Sequence, residues 1–332
     1  MFKIGIVGAS GIVGQEIIKV LSKLCIHKIE LFLFASKKSI GQIIQTKYGN
    51  IPIQEFSLKK IENLHILFLA VSNEFSNKYV PLIIKKNGPI IIDNSSAFRY
   101  NKQIPLVIPE INSQCIKGQR IIANPNCCTA IASVVLWPIH QHFGLKKIII
   151  STYQAASGAG KNGITELKNN SKYILENKNI TNKVFQHQLS FNVIPHIDKF
   201  QENGYTKEEM KMNWELKKIF NLDNLLISCT CVRVPTIRSH AESITIETDK
   251  EISTKEVKNI LNNTPGVILV DNIDENIYPM PINSSEKYDI QVGRIRQSLV
   301  FGKYGIDLFI CGDQILKGAA LNAVQIANII LK

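Results

Sequence analysis

The chain has 332 residues, 45% of them hydrophobic and 20% charged, long enough to bury two cores of ordinary domain size. No apolar run reaches the roughly 18 residues of a membrane helix, and Met1-Phe2-Lys3-Ile4-Gly5 opens directly into a strand pattern, so neither a span nor a signal peptide is expected. The formal charge of +12 comes without an RNA-binding, zinc-finger or basic-region motif, which argues against nucleic acid and for attraction of an anionic small molecule.

In chain order, strands are expected at residues 3–7, 29–35, 65–71 and 90–93, with helices at 12–24 and 77–86 among them. Strands alternating with helices give a parallel, doubly wound sheet, so the chain reads as α/β with a Rossmann-like first domain. From residue 146 strands dominate, at 147–154, 225–234, 242–248, 267–271, 289–297 and 299–310, as in an α+β domain with a largely antiparallel, one-sided sheet. Helices at 159–176 and 206–220 cover one face of that sheet, and the Asn-rich piece 168–183 reads as a variable surface loop. Residues 316–331 form an amphipathic pattern, a C-terminal helix expected to return to the first domain. The expected division is 1–130 completed by 314–332, and 131–313.

Gly8-Ala9-Ser10-Gly11-Ile12-Val13-Gly14 follows the first strand and opens a helix. Glycines there let the backbone approach a pyrophosphate, which the helix N-terminus holds through free N–H groups. The spacing is GxxGxxG rather than GxGxxG, and a turn that only packs helix on strand stays open as the plainer reading. After the second strand, where an NAD enzyme offers a carboxylate, stand Ser36, Lys37, Lys38 and Ser39. Two cations and two hydroxyls suit a 2′-phosphate, so NADP is the expected cofactor.

Arg120 to Ala130 reads as a strand, a Pro125-Asn126 turn and the start of a helix running to about residue 136, with Cys127 at its opening. A thiol at a helix N-terminus faces unpaired N–H groups that favour the thiolate and can hold an oxyanion. The seven cysteines, an odd number without a CxxC pair, otherwise read as small buried hydrophobes in a reducing cytoplasm, with no metal expected. Cys128 falls in that group with Cys25, Cys115, Cys229, Cys231 and Cys311. Between two later strands, Arg233-Val234-Pro235-Thr236-Ile237-Arg238-Ser239-His240-Ala241-Glu242 offers cations for an anionic substrate and a histidine for proton transfer.

These stretches, with Asn94-Ser95-Ser96-Ala97-Phe98-Arg99, Gln154-Ala155-Ala156-Ser157-Gly158-Ala159-Gly160, Glu208-Glu209-Met210-Lys211 and Gly318-Ala319-Ala320-Leu321-Asn322, resemble in order the signatures of aspartate-β-semialdehyde dehydrogenases. The resemblance implies reduction of L-aspartyl-4-phosphate by NADPH to aspartate semialdehyde and phosphate, in lysine, methionine, threonine and diaminopimelate biosynthesis. It makes Cys127 the nucleophile of an acyl thioester and His240 the acid/base, with Asn126 and Gln154 orienting nucleophile and substrate. Arg233 is implied to clamp the α-carboxylate, Arg99 and Lys211 the phosphate, and Glu208 the amino group. Glu215 and Lys218 repeat the spacing of Glu208 and Lys211, so spacing alone does not choose between the pairs. For NADP the resemblance adds Gly8, Ser10, Gly11, Ile12, Val13, Ser36 to Ser39, Ser157, Gly158, and Gln314 or Asn322 near the nicotinamide. It also implies a cytoplasmic homodimer joined through the second domain.

Two departures stand out: Lys37 occupies a place where the family often has Arg, and Cys128 one where many members have no thiol. The first leaves dual use of NAD and NADP open. N-acetyl-γ-glutamyl-phosphate reductase is the nearest alternative, but its Gly-Cys-Tyr-Pro-Thr setting is absent. A non-catalytic NADP-binding protein has no use for Cys127, Gln154, Arg233 and His240 together.

Overall fold

The computed structural model describes residues 1–25 and 27–332. Among them the chain divides into two compact units, Met1–Asn126 with Ala319–Lys332, and Cys127–Gly318. The boundary thus falls at Asn126 rather than residue 130, because the helix opened by Cys127 packs on the second unit's sheet. The return begins at Ala319 rather than 314, since the backbone N–H groups of Leu316 and Gly318 still donate to Asp313. No helix among the described residues is long and apolar enough to cross a membrane.

The first unit contains β1 (Phe2–Val7), α1 (Ile12–Leu24), β2 (Ile29–Ala35), β3 (Ile43–Thr46), β4 (Gly49–Glu55), α2 (Leu58–Ile61), β5 (Ile66–Leu69), α3 (Asn73–Lys85), β6 (Ile90–Asp93), α4 (Pro109–Asn112) and β7 (Ile121–Ala123). Its sheet runs β3-β4-β2-β1-β5-β6-β7, parallel except for the β3–β4 hairpin. Central strands such as β5 are buried at every position, which explains their unbroken Ile, Leu and Phe. The hairpin is not flagged by the alternation of strands and helices, because its residues mix Ile with Gln, Thr, Asn and Pro. Helix α3 starts at Asn73, ahead of the expected residue 77, because the Ser72 hydroxyl accepts from the Phe75 N–H and caps it.

The second unit contains α5 (Cys127–Phe143), β8 (Leu145–Gln154), α6 (Gly160–Leu175), α7 (Lys207–Phe220), β9 (Leu226–Arg233), β10 (His240–Thr248), α8 (Thr254–Asn262), β11 (Val267–Leu269), α9 (Pro281–Ser284), β12 (Ile290–Gln297) and β13 (Gly305–Gly312). The order is β11-β12-β13-β10-β8-β9, antiparallel at the three central pairings and parallel at β8/β9 and β11/β12. Its inner face carries Ile244 and Ile246 opposite Leu308 and Ile306, all buried and each contributing about 1.5–3 kcal/mol. On β8 the other face leaves Ile149 and Tyr153 exposed, the one-sided pattern of an antiparallel sheet.

Three expectations need correcting. Strand β13 starts at Gly305, not residue 299, because Leu299 is fully exposed and residues 302–304 make a 3-10 turn. The expected loop at 168–183 is helical as far as Leu175. Helix α5 runs on to Phe143 despite Pro138. A capping box fixes the start of α7: the Thr206 hydroxyl accepts from the Glu209 N–H, and the Glu209 carboxylate accepts from the Thr206 N–H.

After a π-helical turn, Leu316–Ala320, α10 (Leu321–Ile330) belongs to the first unit and packs on α1. The Asn322 amide donates to Val107 O at 2.9 Å and Asn124 Oδ1 at 2.7 Å. Asn124 in turn donates to Ala319 O and Asn94 Oδ1, so one amide ties α10 to the turn that precedes Cys127.

Candidate active site

Topology gathers the second unit's polar residues. Parallel β8 and β9 end side by side at Gln154 and Arg233, and antiparallel β10 starts at that end with His240. Helix α5, lying on the same sheet, begins with Cys127, half-buried, and Cys128, fully buried. The sulfurs of Cys127 and Cys128 and a ring nitrogen of His240 all lie within 4.8 Å of one another.

His240 is fully buried, and its Nδ1 accepts from the Ala155 N–H at 3.1 Å. The neutral ring therefore keeps its proton on Nε2, which has no partner and is free to donate to a reacting group. Two cysteines and a histidine at this spacing would suit a thiophilic metal. A metal on Nε2, however, needs the proton on Nδ1, where Ala155 already donates, so the donor set favours acid chemistry. Ser239, just before His240, has a left-handed backbone (φ 68°), a strain of about 1–3 kcal/mol in a non-glycine residue. Gln314 holds that turn: its Oε1 accepts from the Ser239 N–H at 2.8 Å and its Nε2 donates to the Ser157 hydroxyl.

The Gln154 amide donates to Cys128 Sγ at 2.9 Å and to Glu208 Oε1 at 3.1 Å. Lys211 Nζ lies 2.7 Å from Glu208 Oε2 and 2.9 Å from Asp198 Oδ2. The structure thus brings Glu208 and Lys211, rather than Glu215 and Lys218, to the end of β8. Arg233 Nη1 donates to Ala155 O at 2.8 Å beside the face of Phe185. A Cβ on Gly158 would come within 2.6 Å of that Nη1, so a side chain there would shift the Arg233 guanidinium, while the His240 ring at 3.5 Å would only be touched. Arg238, in the same motif, pairs with Asp313 at 2.6 Å and stabilises the loop.

The charges follow from these contacts. A hydrogen bond from Cys128, then the His240 ring, holds the Cys127 thiol well below its ordinary range against burial and the Glu208 charge. Burial and the Cys127 charge push the Cys128 thiol up. Burial works against the charge of Lys211, yet Glu208 and Asp198 hold its pKa above the usual range. Glu242, two residues after His240, is fully buried, and burial then the Cys127 charge push it well up against a hydrogen bond from Cys128, toward a neutral acid. Sequence reading missed Cys128, Asp198 and Glu242 as parts of this cluster; the alternation of β10, which puts His240 and Glu242 on one face, was the available signal for Glu242.

In the first unit, Gly8 has φ 87° and a Cβ there would lie 2.1 Å from Ala70 O, so no other residue fits. Gly11 is the N-cap of α1, with no side-chain cap and no acidic residue in the first turn, leaving the N–H groups of Ile12 and Val13 suited to an anion. Ser39 donates to the Ser10 hydroxyl at 3.1 Å, which draws the turn of Ser36, Lys37 and Lys38 toward the glycine loop. Both lysines are exposed. These residues fit a dinucleotide phosphate. Arg99 is buried beside Asp93 and donates to Asn94 O at 2.8 Å, Asn126 is buried immediately before Cys127, and Asn322 makes the bracing contacts already described.

Residues 3–119 match the family model "Semialdehyde dehydrogenase, NAD binding domain", and residues 136–317 match "Semialdehyde dehydrogenase, dimerisation domain". An aspartate-semialdehyde dehydrogenase of Aquifex aeolicus is 42% identical, covering 100% of this chain and 98% of its own. One from Shewanella violacea is 41% identical over the same shares of both chains. The crystal structure of aspartate semialdehyde dehydrogenase II from Vibrio cholerae, complexed with ASA, is 38% identical with a TM-score of 0.95, covering 100% of this chain and 98% of that one.

Proposed function

The chain belongs to the aspartate-semialdehyde dehydrogenase family, and we propose from that premise how its residues reduce L-aspartyl-4-phosphate to L-aspartate 4-semialdehyde and phosphate. It is an NAD(P)-dependent oxidoreductase of the aspartate pathway, which feeds lysine, methionine and threonine. We assign it a cytoplasmic homodimer, with the second unit as the dimerisation domain.

The Cys127 thiolate attacks the acyl carbon; a C–S bond forms, and the bond to phosphate breaks with its electron pair leaving on phosphate. Arg99 and Lys211 take that phosphate, Arg233 the α-carboxylate and Glu208 the amino group. NADPH, when bound, supplies the hydride that reduces the thioester. The His240 Nε2–H stabilises the resulting oxyanion, a contribution of about 10²–10³-fold for one well-placed donor. Collapse breaks the C–S bond and returns the thiolate to Cys127. For NADP over NAD we assign Ser36, Lys37, Lys38 and Ser39 to the 2′-phosphate.

The observation that carries this reading is the Cys127 sulfur at a helix N-terminus beside a histidine locked as a donor. Purified protein given aspartate semialdehyde and phosphate is expected to reduce NADP, and Cys127→Ala to lose that activity. Activity with N-acetyl-glutamate semialdehyde alone would instead make it the sister reductase.

A further inference from the structure

The chemistry above needs Cys127 as a thiolate, yet His240 is held as a donor and is a poor acceptor of that proton. The group beside that sulfur on its buried side is Cys128. A chain of hydrogen bonds ends on it: Lys211 to Glu208 at 2.7 Å, Gln154 to Glu208 at 3.1 Å, and Gln154 to Cys128 Sγ at 2.9 Å. The Gln154 amide can only donate at that sulfur, so the Cys128 S–H must point to an acceptor elsewhere. Two groups face that S–H: the Glu242 carboxyl, which burial holds toward its protonated form and so makes a weak acceptor, and Cys127 Sγ, within 4.8 Å.

We propose that Cys128 is a positioning residue whose thiol donates its proton toward the Cys127 sulfur and so holds the neighbouring nucleophile as a thiolate. This rests on Cys127 being the nucleophile. A sulfur that accepts from one side donates more strongly on the other, and the buried site keeps water from competing. The directions agree, since Cys127 is pushed down chiefly by Cys128, and Cys128 itself is pushed up. The other titratable groups facing the two sulfurs are Glu208 on α7, Cys231 and Arg233 on β9, and His240 and Glu242 on β10. All of them are unchanged in the variants below, which isolates the thiol.

The test is the pH dependence of Cys127 alkylation by iodoacetamide in the full chain, read by mass spectrometry of the peptide that carries it. Cys128→Ala and the near-isosteric Cys128→Val are expected to raise the midpoint by about one pH unit, cutting the rate at neutral pH about tenfold. Cys128→Ser keeps a donor and is expected to restore the midpoint. The acid limb of kcat/KM should move with the alkylation profile while KM for the aspartyl substrate holds. Ala and Val profiles that superimpose on the wild type would overturn the proposal, as would lost activity with unmoved alkylation. The infrared S–H band of Cys128 in the wild-type chain gives a readout that needs no apolar variant: it should shift when Cys127 is alkylated, and an unmoved band counts against the idea. A shifted alkylation profile in a protein without phosphate-dependent NADP reduction sinks the functional reading and leaves this one standing.

Discussion

The two units solve different recognition problems with different parts of the chain. In the first, the candidate nucleotide site is backbone: a glycine at φ 87°, a helix N-terminus without a side-chain cap, and exposed lysines at its margin. In the second, the proposed catalytic groups are side chains at strand and helix ends, with Gln154, His240 and Arg233 each buried and held by a side chain, a backbone N–H or a carbonyl. Backbone recognition depends on having no Cβ in the way, while side-chain catalysis depends on the identity of every neighbour. A substitution that ruins one kind of site should therefore leave the other working.

The largest expected effect is at the nucleophile. Cys127→Ala should lower kcat by about 10⁴-fold or more while NADP affinity, measured by NADPH fluorescence, stays at the wild-type value. A parallel collapse of affinity would show that the two sites are not separable. Next comes Gly8→Ala, whose methyl meets Ala70 O: destabilisation of about 2–4 kcal/mol in urea melts and loss of nucleotide binding are expected, with alkylation of Cys127 in the folded fraction unchanged. Replacing Lys37 and Lys38 together by Ala should raise KM for NADP by about threefold to tenfold, less for NAD, and the gap should close in high salt. Equal changes for both cofactors would remove the 2′-phosphate from this turn.

The smallest effect sharpens the account of the buried side chains. The fold keeps the Glu242 proton above the ordinary carboxylate range, whereas the unfolded chain releases it near the usual value. Between those two values the folded state binds the extra proton, so wild-type stability falls as pH rises. Glu242→Gln has no proton to lose, and its melting-temperature advantage should grow by a few degrees from acid to neutral pH. A constant difference would mean that the carboxyl is ionised in the fold.

The same contrast explains what could be read in advance. The glycine loop and the Pro125-Asn126-Cys127 turn are local, so strand, turn and helix signals placed them without tertiary knowledge. The choice between Glu208 and Glu215 was not local, because both sit three residues before a lysine on one helix. What favours the first pair is the hydrogen bond from Gln154, at the end of β8, to Glu208. Cys128 and Glu242 were read as core or left without a role, since their meaning depends on α5 covering the face where Glu242 pairs with Thr152. Apolar Leu299 and Val300 lengthened a predicted strand although both are exposed, a case where hydrophobicity without alternation misleads.

The amide of Asn322 that ties α10 to Asn124 also sets an order of events during synthesis. Residues 127–318 lie between the two parts of the first unit, so the ribosome must deliver the whole second unit before the nucleotide-binding unit receives its closing helix. The nascent Rossmann-like sheet therefore waits with the surface meant for α10 uncovered, and chaperone dependence should be strongest in that interval.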